Sequence, residues 1–282
     1  MTTTKRIYST FIILFIFLSN TVAQEIIFTT DDSIFIERTA RKYSTTEYQA
    51  KAETINAIAK EFIGQKYIAG TLENPGEPLY ISHSKLDCTT FVELVVSIYK
   101  AIRDGNTSFK DVCNNLEKIR YRDGIRNGYT SRLHYISWWI DNNKDFIEEY
   151  STPQHTATQE LVLDYMSTHH DKYPTLKENA YNIRIITEYE KLYRNIEVKY
   201  IPKENVKNLD KTDIKNGDII AIVTSIKGLD VAHLGFAKWH ADTLHMIHAS
   251  SSAGNVIDDT TSLHEYLKNK NSHLGIRVMR VK

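Results

Sequence analysis

From Gly217 to the C-terminus the chain reads in twos. The runs Asp218–Thr224, Val231–Lys238, Leu244–Ser250 and Leu274–Val281 are short, rich in apolar and β-branched residues, and separated by turn-forming clusters, so they are expected to be strands. A short helix around Ser262–Lys268 interrupts them. The first half follows a different period. Ile55, Ile58, Ala59 and Phe62 share one face of a helix expected over about Glu47–Phe62, with Gly64 as its stop. Phe91, Leu94, Val95, Ile98 and Ile102 do the same for a helix running from Cys88 or Thr89 to Asp104, ended by Gly105. Helices first and strands later predict an α+β fold, with N-terminal helices packed on a C-terminal antiparallel sheet. Between them, from about Asn106 to Tyr200, no period-two pattern is visible, and the segment reads as a largely helical insertion rich in Tyr and His.

Composition bounds the function classes. A chain of 282 residues with 41% hydrophobic and 25% charged residues has ordinary globular composition, which excludes a low-complexity or wholly disordered chain. Lys and Arg number 35 against 35 Asp and Glu, so nothing suggests a basic footprint for nucleic acid. Lys5-Arg6, the apolar run Phe11–Leu18 and the small-residue end Thr21-Val22-Ala23 form a secretory signal pattern, with cleavage expected after Ala23. Residues 1–23 are thus read as a signal peptide and 24–282 as one domain carrying the insertion at about 106–200. The protein is expected to be exported, periplasmic or extracellular. The apolar run is shorter than the ~20 residues that span a bilayer, and no integral membrane segment is expected in the mature chain.

The two cysteines have different settings. Cys113 falls on the apolar stripe Phe109, Val112, Cys113, Leu116, Ile119 and reads as an inert core thiol. Cys88 sits in the first turn of its helix, capped either by Asp87 or by a Thr90-x-x-Glu93 box. Oriented N–H groups there favour a thiolate and a developing oxyanion, whereas the Asp87 carboxylate opposes the thiolate. Such a thiol needs a basic partner.

The strands offer one. Alternation sends His233, Gly235 and Ala237 to one face and Leu234 and Phe236 to the other, leaving room beside His233. A hairpin symmetric about positions 240 and 241 would set His233 opposite His248, close enough for His248 to orient the imidazole that activates Cys88.

Asp87-Cys88-Thr89, Asn216-Gly217-Asp218-Ile219-Ile220, His233-Leu234-Gly235-Phe236, Ile247-His248-Ala249-Ser250 and the upstream Gly64-x-x-Tyr67-x-x-Gly70 together resemble the NlpC-type bacterial cell-wall cysteine hydrolases. The resemblance implies a papain-like NlpC-type core, with Cys88 as nucleophile, His233 as base, His248 as the orienting third member, and Tyr67 and Thr89 lining the substrate site. Thr89-Thr90 departs from the usual Ser-Gly. With Gly70-Thr71-Leu72-Glu73 and Arg132-Leu133-His134-Tyr135, it is similar to a branch whose members act as N-acetylmuramoyl-L-alanine amidases. The branch implies a peptidoglycan or muropeptide substrate; no cofactor is expected, and the enzyme is expected to be a monomer. The wider family more often cuts between D-Glu and diaminopimelate, so a stem-peptide endopeptidase is the alternative, and a non-catalytic peptidoglycan-binding module a further one.

Arg132, His134 and Tyr135 form a polar and aromatic cluster in the insertion. Arg132 either reads a stem carboxylate through paired hydrogen bonds or pairs with a structural acid, and Tyr135 either covers substrate or lies on a helix surface. Trp138-Trp139-Ile140 reads as core. No metal site is expected, because alternation puts His245 on the face opposite His248 and no His-Glu-x-x-His run occurs.

Overall fold

The structure is a computed structural model that describes residues 25–45 and 53–282. The expected signal peptide and the first turns of the helix expected from Glu47 lie outside the described residues. In chain order, the N-terminal part contains β1 (Ile26–Ile27), α1 (Thr30–Lys42), α2 (Glu53–Lys60), β2 (Lys66–Tyr67), β3 (Leu79–Tyr80), β4 (Lys85–Leu86) and α3 (Cys88–Arg103). The middle part contains α4 (Phe109–Arg120), α5 (Ile136–Asn142), β5 (Ile147–Tyr150), β6 (Ala157–Leu161), α6 (Tyr165–Thr168), α7 (Ala180–Lys191) and β7 (Ile196–Pro202). The C-terminal part contains β8 (Ile219–Thr224), β9 (Val231–His240), β10 (Thr243–Ser250), β11 (Asn255–Asp258), α8 (Leu263–Lys268) and β12 (His273–Val281).

The main sheet runs β4-β2-β11-β10-β9-β8-β12-β7-β6, with β5 paired to β12. Its pairs are antiparallel apart from β2 with β4. Helix α3 supplies the apolar layer on one face. Phe91 lies between Phe62, at a 5.8 Å ring separation, and Phe236 of β9, at 5.6 Å, both edge-on. The other face buries Ile220, Ile222, Ala237, Leu244 and Met246 under Leu263 and Leu267 of α8. Period-two alternation along β9 and β10 thus feeds two cores, one on each face.

The middle segment departs from its expected form. It contributes three strands, and both β5 and β7 pair with β12, so it is woven into the sheet. Its strands left no apolar alternation because they bury little: within Ile147–Tyr150 and Ala157–Leu161, only Ile147 and Leu161 are buried. Trp138 and Trp139 are buried in the core.

The hairpin register also differs from expectation. Thr243 pairs with His240, Met246 with Ala237 and Ile247 with Phe236, so the turn residues are Ala241 and Asp242. Ala241 takes the left-handed conformation, φ 49°, that closes this two-residue turn. The pairing is displaced by two residues from the expected one. A two-residue displacement keeps every side chain on its face.

Candidate active site

Asp87 starts α3. Its carboxylate accepts the Thr90 N–H at 2.8 Å, and the Thr90 hydroxyl accepts the Asp87 N–H at 2.8 Å, so the reciprocal cap uses Asp87 and Thr90 rather than Glu93. Glu93 instead accepts from Arg120 at 2.7 Å, with both side chains buried. The cap claims the Thr90 N–H. The N–H groups of Cys88 and Thr89 therefore remain at the mouth of the helix, where negative charge is stabilised.

Cys88 is half-buried and Cys113 fully buried. The Cys88 thiol opens on a cavity of about 600 Å³ lined by Thr89, Leu133, His134, Trp139, Val231 and His233 among others. Burial first, and then the Asp87 carboxylate, push its pKa up to about 12. The Leu234 N–H, the Thr89 hydroxyl and the residue's own N–H oppose that rise. Leu234 directly follows His233, so the thiol faces the start of β9.

His233 and His248 meet despite the displaced register. Nε2 of His233 lies 2.6 Å from Nδ1 of His248, with the rings perpendicular. The contact is diagonal. Gly235 stands opposite His248, where an added Cβ would come within 2.9 Å of the His248 Cβ, so only glycine leaves the imidazole space to lean toward His233. Burial, and then the neighbouring basic groups His248, Lys270 and His273, lower the His233 pKa to about 3. Burial also lowers that of His248, against the pull of Asp259, whose Oδ2 lies 3.2 Å from His248 Nε2. At neutral pH the resting pair is therefore an uncharged thiol and an uncharged imidazole, and the thiolate forms only as a proton leaves for a base.

The expected substrate-binding residues separate into two groups. Tyr67 stands half-buried beside the thiol, its pKa raised to about 12 by burial and then by Cys88 and Asp87. Thr89 and His134 line both the Cys88 cavity and an adjoining cleft of about 840 Å³, whose other walls include Gly70, Glu73, Arg132, Lys172 and Tyr173. His134 is tied to the Tyr129 carbonyl at 2.9 Å, and burial holds its pKa well below the ordinary value. Arg132 borders the cleft but is only 4% exposed. Its guanidinium is taken by Glu73 at 2.8 Å, the Leu72 carbonyl at 2.8 Å and Glu77 at 3.4 Å, so the carboxylates it reads are internal.

Tyr135 is a correction. It is buried, donates to Glu190 at 2.7 Å and accepts the Met166 N–H at 2.9 Å, which makes it a core anchor between α5, α6 and α7 rather than a substrate contact. His245 lies off the His248 face and bonds the Thr261 carbonyl at 3.1 Å. Among the described residues, no group of three or more His, Cys, Asp or Glu is arranged to hold a metal ion, and no helix is long and apolar enough to cross a membrane.

Two neighbours of the histidines went unseen in the sequence. Asp259 reaches His248 because β11, an unexpected strand, pairs with β10 and delivers its end there. Tyr266 of α8 stacks over His233 at 6.2 Å and sits edge-on to His248 at 5.5 Å. Neither has a sequence signal without the strand pairing.

The AmiA-like family, described as N-acetylmuramoyl-L-alanine amidase-like, matches residues 57–276, a span that contains Cys88, His233, His248 and Asp259. The chain belongs to this family. Solved structures agree. A Bacteroides uniformis N-acetylmuramoyl-L-alanine amidase is 37% identical over 82% of this chain and 98% of its own, with a TM-score of 0.78. A Bacteroides fragilis protein provisionally named a xylanase is 41% identical over 79% of this chain and 98% of its own, with a TM-score of 0.73. A Legionella pneumophila protein of the DUF1460 family, 24% identical over 89% of this chain and 94% of its own, shares the fold at a TM-score of 0.64. No curated protein matches the chain.

Proposed function

We propose that the protein is an exported cell-wall hydrolase: a cysteine-dependent amidase, built on a papain-like NlpC-type core, that cuts the amide between the lactyl group of N-acetylmuramic acid and L-alanine. The family and the amidase from Bacteroides uniformis support the amidase class. The observation that carries the chemistry is the cavity at the N-terminus of α3, lined by Cys88 and by His233 in contact with His248.

In this reading the Cys88 sulfur bonds to the lactyl carbonyl carbon while the thiol proton passes to His233, since a thiol held up to about 12 ionises only against a base in place. The carbonyl oxygen becomes an oxyanion facing the Cys88 and Thr89 N–H groups. The C–N bond then breaks, and His233 returns its proton to the departing L-alanine amine. Water attacks the thioester, gives its proton through His233 to the sulfur, and frees the muramic carboxylate. No cofactor enters. Lys172, whose ammonium contacts Tyr165 and no carboxylate among the described residues, replaces Arg132 as the group on the cleft wall free to meet a stem carboxylate.

A glycosidase mechanism, which the Bacteroides fragilis name would suggest, needs two carboxylates facing a sugar. The acids around these cavities are already engaged: Asp87 caps α3, Glu93 holds Arg120, Glu73 holds Arg132, and Asp230 accepts the Ser137 N–H at 2.8 Å. Mass spectrometry of muropeptides after digestion tests the proposal. Stem peptides with a free L-alanine amine and sugars with a free lactyl carboxylate are expected. Cuts between D-Glu and diaminopimelate would assign an endopeptidase, and binding without products a non-catalytic module.

A further inference from the structure

The hydrogen-bonded chain behind Cys88 begins at Asp259. This residue follows β11 and is held on both sides: its N–H donates to the Met246 carbonyl at 2.9 Å, and its Oδ1 accepts the Thr261 N–H at 2.8 Å. Its side chain is 13% exposed. Oδ2 lies 3.2 Å from His248 Nε2, and His248 Nδ1 lies 2.6 Å from His233 Nε2. A carboxylate has no proton to give, so the hydrogen in the first contact sits on His248 Nε2. A neutral imidazole carries one N–H, so His248 Nδ1 is a bare acceptor and the hydrogen of the second contact belongs to His233 Nε2. By the same count His233 Nδ1 is bare. That nitrogen is the one left to take a proton.

We propose that Asp259 is a positioning residue that acts through His248 to hold His233 as its Nε2–H tautomer, with the Nδ1 lone pair available to the Cys88 thiol. Its consequence for turnover rests on the amidase reading above; the tautomer is a property of the free protein. Without Asp259, His248 is free to place its hydrogen on Nδ1 and donate to His233 Nε2. His233 then carries its hydrogen on Nδ1 and cannot accept the thiol proton. In the intact chain, an imidazolium formed at His233 donates to His248 and His248 donates to the carboxylate, so the new positive charge is met by a negative one. Lys270, a positively charged neighbour, works against that imidazolium.

Long-range 1H–15N correlation spectra of the free protein at neutral pH, with the His233 and His248 signals assigned by single substitution, read the tautomers without substrate. The wild type is expected to show both rings in the Nε2–H form. Asp259→Ala is expected to move both toward Nδ1–H and to lower kcat about 100-fold with KM nearly unchanged. Asp259→Asn keeps the shape of the side chain and is expected to fall between the two, which covers an alanine variant that does not fold. Retention of the Nε2–H form by both rings in the substituted proteins would overturn the proposal. Absence of muropeptide cleavage by the wild type would overturn the amidase reading and leave the tautomer result standing on its own.

Discussion

The sheet behind the Cys88 cavity and the insertion beside it both carry polar clusters, yet they use that polarity in opposite ways. On the sheet side, Asp259, His248 and His233 touch in a row, and the proposed tautomers run that row in one direction toward a bare His233 nitrogen. On the insertion side, Arg132 is consumed by Glu73, Glu77 and the Leu72 carbonyl, and Tyr135 by Glu190 and Met166. The first arrangement leaves one valence open, while the second closes nearly all of its own and builds a wall. Residue type beside a cavity therefore says less about chemistry than which atoms remain uncommitted.

The largest expected effect breaks the comparison at the thiol. Cys88→Ala should abolish turnover while leaving thermal unfolding near that of the wild type. Cys113→Ala, whose side chain is buried on α4, should keep full activity and cost about 1 kcal/mol in chemical denaturation. Activity surviving Cys88→Ala would remove the sheet cluster's purpose.

Arg132→Ala tests the insertion cluster. Glu77 and Arg132 have side chains only 4% and 5% exposed, so removing the guanidinium strands a buried carboxylate at a cost of about 3–5 kcal/mol. Denaturation should show this loss, with little change in kcat for the fraction that remains folded. A raised KM without a stability loss would return Arg132 to the substrate.

Acidification tests the buried histidines on both sides together. His233 is lowered to about 3, His273 to about 4, and His248 and His134 are lowered too, each chiefly by burial. The unfolded chain takes up these protons near pH 6.5 and the folded chain does not, so stability falls as pH drops below that value. The melting temperature should decline between pH 7 and 5.5. Buried acids held above their ordinary pKa, Glu77, Glu93 and Asp230, act in the opposite sense at lower pH. A flat melting curve over that window would mean that these histidines are not held neutral.

The smallest effect lies at the hairpin that sets the register. Ala241→Gly relieves a left-handed alanine and should stabilise the protein by about 1 kcal/mol in denaturant titration, with activity unchanged.

What the sequence revealed follows from the range of the interactions involved. Helix α3, the alternation of β9 and β10, and α8 rest on local periodicity, and each was legible. The meeting of His233 and His248 on one face survived an incorrect register because alternation depends only on parity. Strands β5 and β6 were hidden because they expose most of their residues. The fates of Arg132 and Tyr135 depend on partners 59 and 55 positions away, and no local pattern announces those. Asp259 was silent for the same reason: its role exists only once β11 pairs with β10.

In the proposed reaction the Cys88 sulfur takes the muramoyl acyl group. Rapid acid quenching during muropeptide turnover, followed by peptide mapping of the protein, tests it most directly. A muramoyl thioester, carrying sugar and no stem peptide, is expected on the fragment that contains Cys88. A stem-peptide acyl group on Cys88, or a muramoyl group on any other residue, would contradict it.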